Sequence, residues 1–167
     1  MILKLEELNA NQSLECNVCI VGAGPAGIIL AKKLGDYGVK VILCEAGELD
    51  YSEQSQDCYQ GKVIGDTYFP LEISRLRYFG GSSNHWGGWC RYFEEIDFKI
   101  NYLGKDLEWP INKKDLDNYF SESCNILGIK ENFDEKKYDS SGIRKISFNI
   151  SEVNFKDKYL EYFKKSK

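Results

Sequence analysis

A glycine-rich turn between two apolar segments constrains the fold more than any other feature of this sequence. The turn is Gly22-Ala-Gly-Pro-Ala-Gly27, and it follows the apolar run 16–21. A helical pattern of apolar residues comes next and ends at Gly38, and a second apolar run, 39–44, follows it. Strand, glycine turn, helix and strand in this order predict a right-handed βαβ unit over residues 16–47, with parallel strands buried on both faces.

The spacing of the three glycines in this turn is typical of dinucleotide binding. Gly22 permits the tight turn out of the strand, Gly24 lets a pyrophosphate approach the backbone, and Gly27 lets helix and strand pack closely. Pro25 and Ala26 lie where the helix starts, and its N–H groups and dipole attract phosphate. The alternative is an ordinary glycine-rich turn without a ligand, but the surrounding βαβ pattern favours the dinucleotide.

An acidic residue lies where such a site needs one. Glu45 follows the second apolar run, 18 residues after Gly27, and Ala46 comes next. A carboxylate at the tip of this strand accepts hydrogen bonds from the hydroxyls of the adenosine ribose, and it repels a ribose 2′-phosphate. The sequence therefore predicts a dinucleotide other than NADP.

A second glycine cluster, residues 75–92, combines glycines with polar and aromatic side chains. Glycines permit positive φ and close approach of the backbone to a flat or charged ligand, arginines suit phosphate, and tryptophans form apolar walls. The alternative is a tight surface loop around a core tryptophan, but the preceding dinucleotide motif favours a ligand site. The candidate contacts here are Arg75, Gly80, Gly81, Ser82, Ser83, Asn84, His85, Trp86 and Gly87.

Three motifs, in order along the chain, resemble the N-terminal part of the glucose–methanol–choline (GMC) oxidoreductases. They are the βαβ motif ending in Cys44-Glu-Ala-Gly47, the run Arg77-Tyr-Phe-Gly-Gly-Ser-Ser-Asn-His-Trp-Gly-Gly88, and Glu108-Trp-Pro-Ile-Asn-Lys-Lys-Asp-Leu116. The resemblance covers residues 15–129 and implies a Rossmann-like FAD-binding domain, α/β in class, with FAD rather than NAD as cofactor. It also implies that the full enzyme oxidises a CH–OH group of an alcohol or sugar by hydride transfer to FAD.

Ser83-Asn-His-Trp86 is most similar to the sugar-oxidising branch of that family, which includes pyranose oxidase. In that branch the histidine of the matching tetrad is attached covalently to the flavin 8α carbon, so the resemblance makes His85 a candidate for such a link. Other sugar dehydrogenases carry a similar His-Trp pair without a covalent bond. Both states of His85 are therefore open at this point.

The resemblance also implies that catalytic residues lie elsewhere. The family's catalytic pair, a histidine with a second histidine or an asparagine, is near the C-terminus of much longer chains, whereas His85 is the single histidine of these 167 residues. We therefore expect an incomplete FAD-binding domain in residues 1–129, the start of a further, truncated segment in 130–167, and a missing C-terminal half or partner chain. The alternatives are a non-catalytic FAD- or nucleotide-binding stub or partner subunit, and a fragment of an NAD-dependent dehydrogenase.

Composition and sequence patterns argue against several other classes of protein. A net charge of −4 argues against a nucleic-acid binder. The sequence has no apolar run that predicts a transmembrane helix and no signal-peptide pattern. Cys16 and Cys19 lie three apart in one strand, hence on opposite faces, which argues against a shared metal or bridge. We expect six mostly buried, free thiols, no metal site and a cytoplasmic location.

Two patterns downstream predict scaffold elements. Asn112 and Asp115 predict a capping box for a helix whose apolar face runs from Leu116 to Leu127 and which ends at Gly128. Alternating apolar residues in the range 146–155 indicate a strand.

Overall fold

The chain is a mixed α/β protein. The structure, a computed structural model, describes residues 1–133, 136–138 and 143–166. They form two compact units, the first from Met1–Trp86 with the segment that begins at Asn154, and the second from Gly87–Val153. The segment predicted to begin at residue 130 thus lies partly outside the described residues.

The helices and strands are short, and the strands of the described part pair two by two. The helices are α1 (Pro25–Asp36), α2 (Glu53–Gln56), α3 (Lys113–Asp117), α4 (Phe120–Leu127) and α5 (Phe155–Lys165). The strands are β1 (Val18–Val21), β2 (Val41–Cys44), β3 (Trp89–Cys90), β4 (Lys99–Tyr102), β5 (Lys105–Glu108), β6 (Lys136–Tyr138), β7 (Ile143–Lys145) and β8 (Asn149–Ile150).

In the first unit, β1 and β2 are parallel and α1 connects them. Val18 is opposite Val41 and Val21 is opposite Cys44, so all four residues of each strand pair in register. Pro25 occupies the first turn of α1, where its missing N–H costs no hydrogen bond. Strand, helix and strand therefore follow one another as the sequence predicts.

The prediction that these strands are buried on both faces was wrong for the described residues. Ile20, on the α1 side, is 9% exposed, whereas Val21 is 86% exposed. A parallel strand is buried on both faces only where a layer of structure covers each face, and α1 covers one. The predicted burial of the thiols fails for the same reason in β1 and β2, where Cys19 and Cys44 are exposed, whereas Cys124 of α4 is buried.

Helix α5 brings the end of the chain back to the first unit. The Asn154 side chain caps it by accepting the Asp157 N–H at 3.1 Å. Phe155 and Tyr159 are buried, and the Phe163 ring meets Phe79 edge to face at 5.8 Å between centroids. The strand predicted for 146–155 is restricted to β8, because the cap at Asn154 starts a helix where the alternation continues.

In the second unit, β3 pairs with β8, and β4 and β5 form a hairpin. The capping box before α3 is confirmed: Asn112 Oδ1 accepts the Lys114 N–H at 2.9 Å, and an Asp115 carboxylate oxygen accepts the Asn112 N–H at 2.8 Å. The single predicted helix is divided into α3 and α4, because the Tyr119 N–H bonds three residues back and tightens the backbone. Gly128 ends α4 in the left-handed region, at φ 64°.

None of the helices in the described ranges has the length and apolar character needed to cross a bilayer. Within the same ranges, no three His, Cys, Asp or Glu side chains cluster in a way that suits a metal ion.

Candidate functional site

The glycine turn, the segment after β2 and the second glycine cluster meet at the carboxyl ends of β1 and β2. The Gly80 N–H donates to the Ala23 carbonyl at 2.8 Å, and the Phe79 N–H donates to the Glu48 carbonyl at 2.9 Å. The two glycine-rich segments that the sequence singles out are therefore held together by their main chains. In open α/β sheets, ligands bind beyond the carboxyl ends of the strands.

The glycines of the first motif differ in what surrounds them. A Cβ at Gly27 would lie 2.0 Å from the Gly22 carbonyl oxygen, so close packing of α1 on the turn requires glycine there. Gly22 itself has φ 98°, a left-handed conformation that favours glycine. A Cβ at Gly24 would meet no atom within 4 Å, so the folded chain leaves this side of the turn open.

The start of α1 adds a favourable place for negative charge beside this open side. Gly24 is the N-cap, no side chain caps the helix, and no acidic side chain lies in its first turn. The N–H groups of a first helical turn lack intrahelical acceptors, and the helix dipole gives this end a partial positive charge. The open space and the helix start therefore suit a phosphate group approaching the backbone.

The Glu45 carboxylate bridges the turn and the segment after β2. One oxygen accepts the Ala23 N–H at 2.7 Å, and the other accepts the Gly47 N–H at 2.8 Å. Each carboxylate oxygen can accept a further hydrogen bond, so these contacts leave capacity for ribose hydroxyls. The sequence suggested only the ribose contact and missed the bracing of the turn. The neighbouring Ala46 is exposed.

The polar side chains of the second cluster shape their own loop. The Ser83 hydroxyl donates to the Gly80 carbonyl at 2.6 Å, and the Asn84 amide donates to the Phe79 carbonyl at 3.0 Å. Ser82 Oγ accepts a backbone N–H at 3.1 Å. A Cβ at Gly81 would lie 3.2 Å from the Gly24 Cα, so the loop rests against the open glycine turn.

One atom of this loop points to a ligand. Asn84 Oδ1 is the one buried side-chain oxygen or nitrogen without a hydrogen-bond partner in the part of the chain that the structure describes. A buried acceptor without a donor costs about 1–3 kcal/mol, so such groups call for an explanation. A bound molecule with a hydrogen-bond donor would satisfy it.

The remaining predicted contacts lie at the edge of the loop. His85 is exposed, and Trp86 is 37% exposed. The Arg75 guanidinium lies over the Tyr59 ring, 5.2 Å from its centroid. Gly87 is the first residue of the second unit, so it is not part of the cluster of contacts in the first unit.

Sequence reasoning missed Gln56, which fixes the approach to the loop. Its side chain is 5% exposed, its Nε2 donates to the carbonyls of Glu72 and Arg75, and its Oε1 accepts the Arg77 N–H at 3.0 Å. The Arg77 guanidinium in turn donates to Ser55 Oγ at 2.8 Å. A glutamine in a short helix carries no sequence signal for such a role.

Among the groups that adjoin the site, Cys44 has a shifted pKa. Although the residue is exposed, neighbouring atoms partly desolvate its thiol and raise the thiol pKa, and the hydrogen bond to Cys19 raises it further. The thiol next to Glu45 is therefore neutral at pH 7.

Comparison with known proteins identifies the ligand. A model of the FAD-binding domain matches residues 15–62, which include β1, α1, β2 and the glycine turn. The chain is 28% identical over 152 residues to a 2-methyl-1,2-propanediol dehydrogenase of Mycolicibacterium austroafricanum, which covers 77% of this chain and 27% of that protein. No solved structure matches the chain significantly.

Two further relatives match the chain over shorter stretches. The 6'''-hydroxyparomomycin C oxidase of Streptomyces lividus is 28% identical over 128 residues, 68% of this chain and 23% of that protein. A ubiquinone hydroxylase of Neisseria meningitidis is 39% identical over 61 residues, 36% of this chain and 13% of that protein. The chain thus spans about a quarter or less of the length of these curated relatives. Its cofactor is FAD, and the chain is a flavoprotein.

Proposed function

We propose that this chain is the N-terminal, FAD-binding part of a GMC-type oxidoreductase that oxidises a CH–OH group of an alcohol or sugar. The observation that carries the proposal is the contact between the second glycine cluster and the open glycine turn, next to the uncapped start of α1. The names of two relatives support the substrate class, because one is a dehydrogenase of a diol and the other an oxidase of a hydroxylated compound.

The proposed roles follow from the contacts of each group. The open space at Gly24 and the start of α1 receive the pyrophosphate, Glu45 and Ala46 face the adenosine ribose, and the loop from Gly80 to Trp86 lies along the flavin. Bound FAD accepts a hydride from the alcohol carbon. The full set of proposed contacts is Gly22, Gly24, Pro25, Ala26, Gly27, Glu45, Ala46, Arg75, Gly80, Gly81, Ser82, Ser83, Asn84, His85 and Trp86.

We propose no catalytic residue in this chain. Removing the hydroxyl proton requires a base, and His85, the one histidine in the sequence, is assigned to the flavin contact. The base then comes from a C-terminal half or a partner chain. In this proposal residues 1–129 are part of a Rossmann-like domain, and residue 130 starts a further segment. A non-catalytic FAD-binding subunit would make the same contacts with FAD. It differs from the proposed enzyme part only in having no partner chain or C-terminal half that supplies a catalytic base.

Gly24→Ala tests the site directly. Since the added methyl group meets no protein atom, the variant folds, with a loss of about 1 kcal/mol or less from the weaker helix cap. We expect its affinity for FAD, measured by flavin fluorescence on titration of the purified chain, to fall about tenfold or more. Unchanged affinity would place the pyrophosphate elsewhere.

Glu45→Gln tests the second contact, with Glu48→Gln as its matched control. The glutamine keeps one acceptor oxygen but loses the charge that holds the turn and the ribose hydroxyls, so we expect weaker FAD binding. Glu48 is exposed, and its carbonyl, not its side chain, bonds to the loop, so its variant should bind FAD as the native chain does. Equal losses in both variants would contradict the role of Glu45.

The state of His85 is decided by the intact mass of the flavin-loaded protein under denaturing conditions. An added mass equal to FAD that disappears in His85→Ala identifies the covalent link. A mass without FAD leaves His85 as a non-covalent contact, and the exposed ring is accessible for either state.

A further inference from the structure

The buried amide of Gln56 holds the main chain at the start of the second glycine cluster. Gln56 is the last residue of α2, and it is 5% exposed. Its Nε2 donates to the Arg75 carbonyl at 2.7 Å, and its Oε1 accepts the Arg77 N–H at 3.0 Å. The donor and the acceptor of one side chain thus both act on main-chain groups of a distant segment.

The peptide unit that Gln56 holds leads directly to Ser82. The Arg75 carbonyl and the Leu76 N–H belong to one planar trans peptide unit, so they point in opposite directions. Gln56 bonds to the carbonyl on one side, and on the other side the Leu76 N–H donates to Ser82 Oγ at 3.1 Å. The position of the Gln56 amide therefore fixes the direction of the hydrogen bond that Ser82 receives.

This bond determines what the Ser82 hydroxyl can do. A hydroxyl oxygen that accepts an N–H keeps one hydrogen to donate. Ser82 follows Gly81, whose Cβ position lies 3.2 Å from the Gly24 Cα, so the hydroxyl belongs to the part of the loop that rests on the open glycine turn. A polar group that a second hydrogen bond holds in place contacts a ligand more precisely than a freely rotating one.

We propose that Gln56 is a positioning residue for FAD. Through the peptide unit between Arg75 and Leu76 it orients the Ser82 hydroxyl, which donates to an acceptor on the flavin half of the cofactor. The inference rests on the proposed function, in which the loop from Gly80 to Trp86 lies along the flavin and the glycine turn receives the pyrophosphate. Gln56 then affects the binding of the flavin half and leaves the adenosine diphosphate half unaffected.

The test compares the affinities of the full chain for FAD and for ADP, which lacks the flavin. Gln56→Met keeps the length of the side chain and removes both its donor and its acceptor. We expect its affinity for FAD, from flavin fluorescence, to fall about tenfold and its affinity for ADP, from titration calorimetry, to stay within about twofold. Gln54→Met is the matched control, because Gln54 is an exposed residue of the same helix, and it should bind both ligands as the native chain does.

A double-mutant cycle tests the path through Ser82. Ser82→Ala should show the same selective loss of FAD affinity. Adding Gln56→Met to Ser82→Ala should cost little further affinity, because the hydroxyl that Gln56 orients is already gone. Native affinity for FAD in Ser82→Ala, or losses that add fully in the double variant, would overturn the proposal.

Two further variants separate this role from folding and from the proposed function. Gln56→Glu keeps the acceptor for the Arg77 N–H and should show the same selective loss, whereas equal losses of FAD and ADP in both Gln56 variants would overturn the proposal. Gly24→Ala should lose affinity for both ligands, because it acts on the pyrophosphate. Unchanged binding in Gly24→Ala would contradict the proposed function, and unchanged FAD binding in Gln56→Met would contradict only the role of Gln56.

Discussion

Gly24 and Gly27 belong to one sequence motif, but they have different physical tasks. Gly27 is required by the fold, because any side chain there collides with the Gly22 carbonyl. Gly24 has no such neighbour, so packing does not require glycine there, and we attribute its lack of a side chain to the proposed pyrophosphate. The spacing of the motif predicted the close packing at Gly27, which the structure has, and the role of Gly24 stays a prediction. It could not predict that Ser83 and Asn84 bond within their own loop, because that depends on the path of the backbone.

Gly27→Ala should therefore lower the free energy of unfolding more than Gly24→Ala does. The added methyl group would lie 2.0 Å from a backbone oxygen, so strand and helix must separate. We expect the free energy of unfolding, measured by chemical denaturation, to fall by about 1–3 kcal/mol more than in Gly24→Ala. Equal stability of the two variants would contradict the proposed packing role.

At the scale of elements, α5 is a helix that the sequence analysis did not place. Its apolar residues indicate a helix, but which unit it packs against depends on contacts made far along the chain. In the structure Tyr162 Oη donates to an Asp36 carboxylate oxygen at 3.2 Å and to the Lys32 carbonyl at 3.3 Å. Predicted strand burial failed for a related reason, because local sequence does not reveal which layers cover a sheet.

Phe155→Ala should test the packing of α5. Phe155 is 3% exposed, and replacing a buried phenylalanine by alanine typically costs about 3–5 kcal/mol. Phe148, which is 43% exposed, provides the control, and its alanine variant should lose much less. Denaturant unfolding measures both, and equal losses would mean that α5 does not pack stably on the first unit.

The contact between α1 and α5 should also depend on pH. Hydrogen bonds from Lys32, at 2.5 Å, and from Tyr162 lower the pKa of Asp36. A carboxyl group with a lowered pKa in the folded state stabilises the protein above its unfolded pKa, and this contribution disappears as the pH falls through the folded value.

Asp36→Asn should therefore lower the melting temperature at pH 7. At a pH below the pKa that the Asp36 carboxyl group has in the folded protein, the variant and the native chain should have the same melting temperature. Glu48→Gln, which changes an exposed carboxylate outside this contact, serves as the control at both pH values. If the melting temperature of Asp36→Asn stays below that of the native chain in acid, ionisation of the Asp36 carboxyl group is not the cause of the difference.

At the scale of the whole molecule, cofactor binding and turnover should be separable. If the catalytic base lies outside this chain, the 167-residue protein with bound FAD should reduce no dye acceptor with alcohols or sugars as substrates. Chemical reduction by dithionite should still bleach its flavin, which controls for a damaged cofactor. Substrate-dependent dye reduction would mean that this chain itself supplies a base.

The main-chain hydrogen bonds from Gly80 to Ala23 and from Phe79 to Glu48 also affect how well the proposed FAD site tolerates insertions into the chain between its two glycine-rich segments. They close the connection between Glu48 and Phe79 into a loop whose two ends are joined by main-chain hydrogen bonds. Doubling the length of a flexible loop adds only about 0.6 kcal/mol to the cost of closing it. Insertions in this connection should therefore leave the cofactor site assembled, which makes it a natural place for proteins with the same two glycine segments to differ in length.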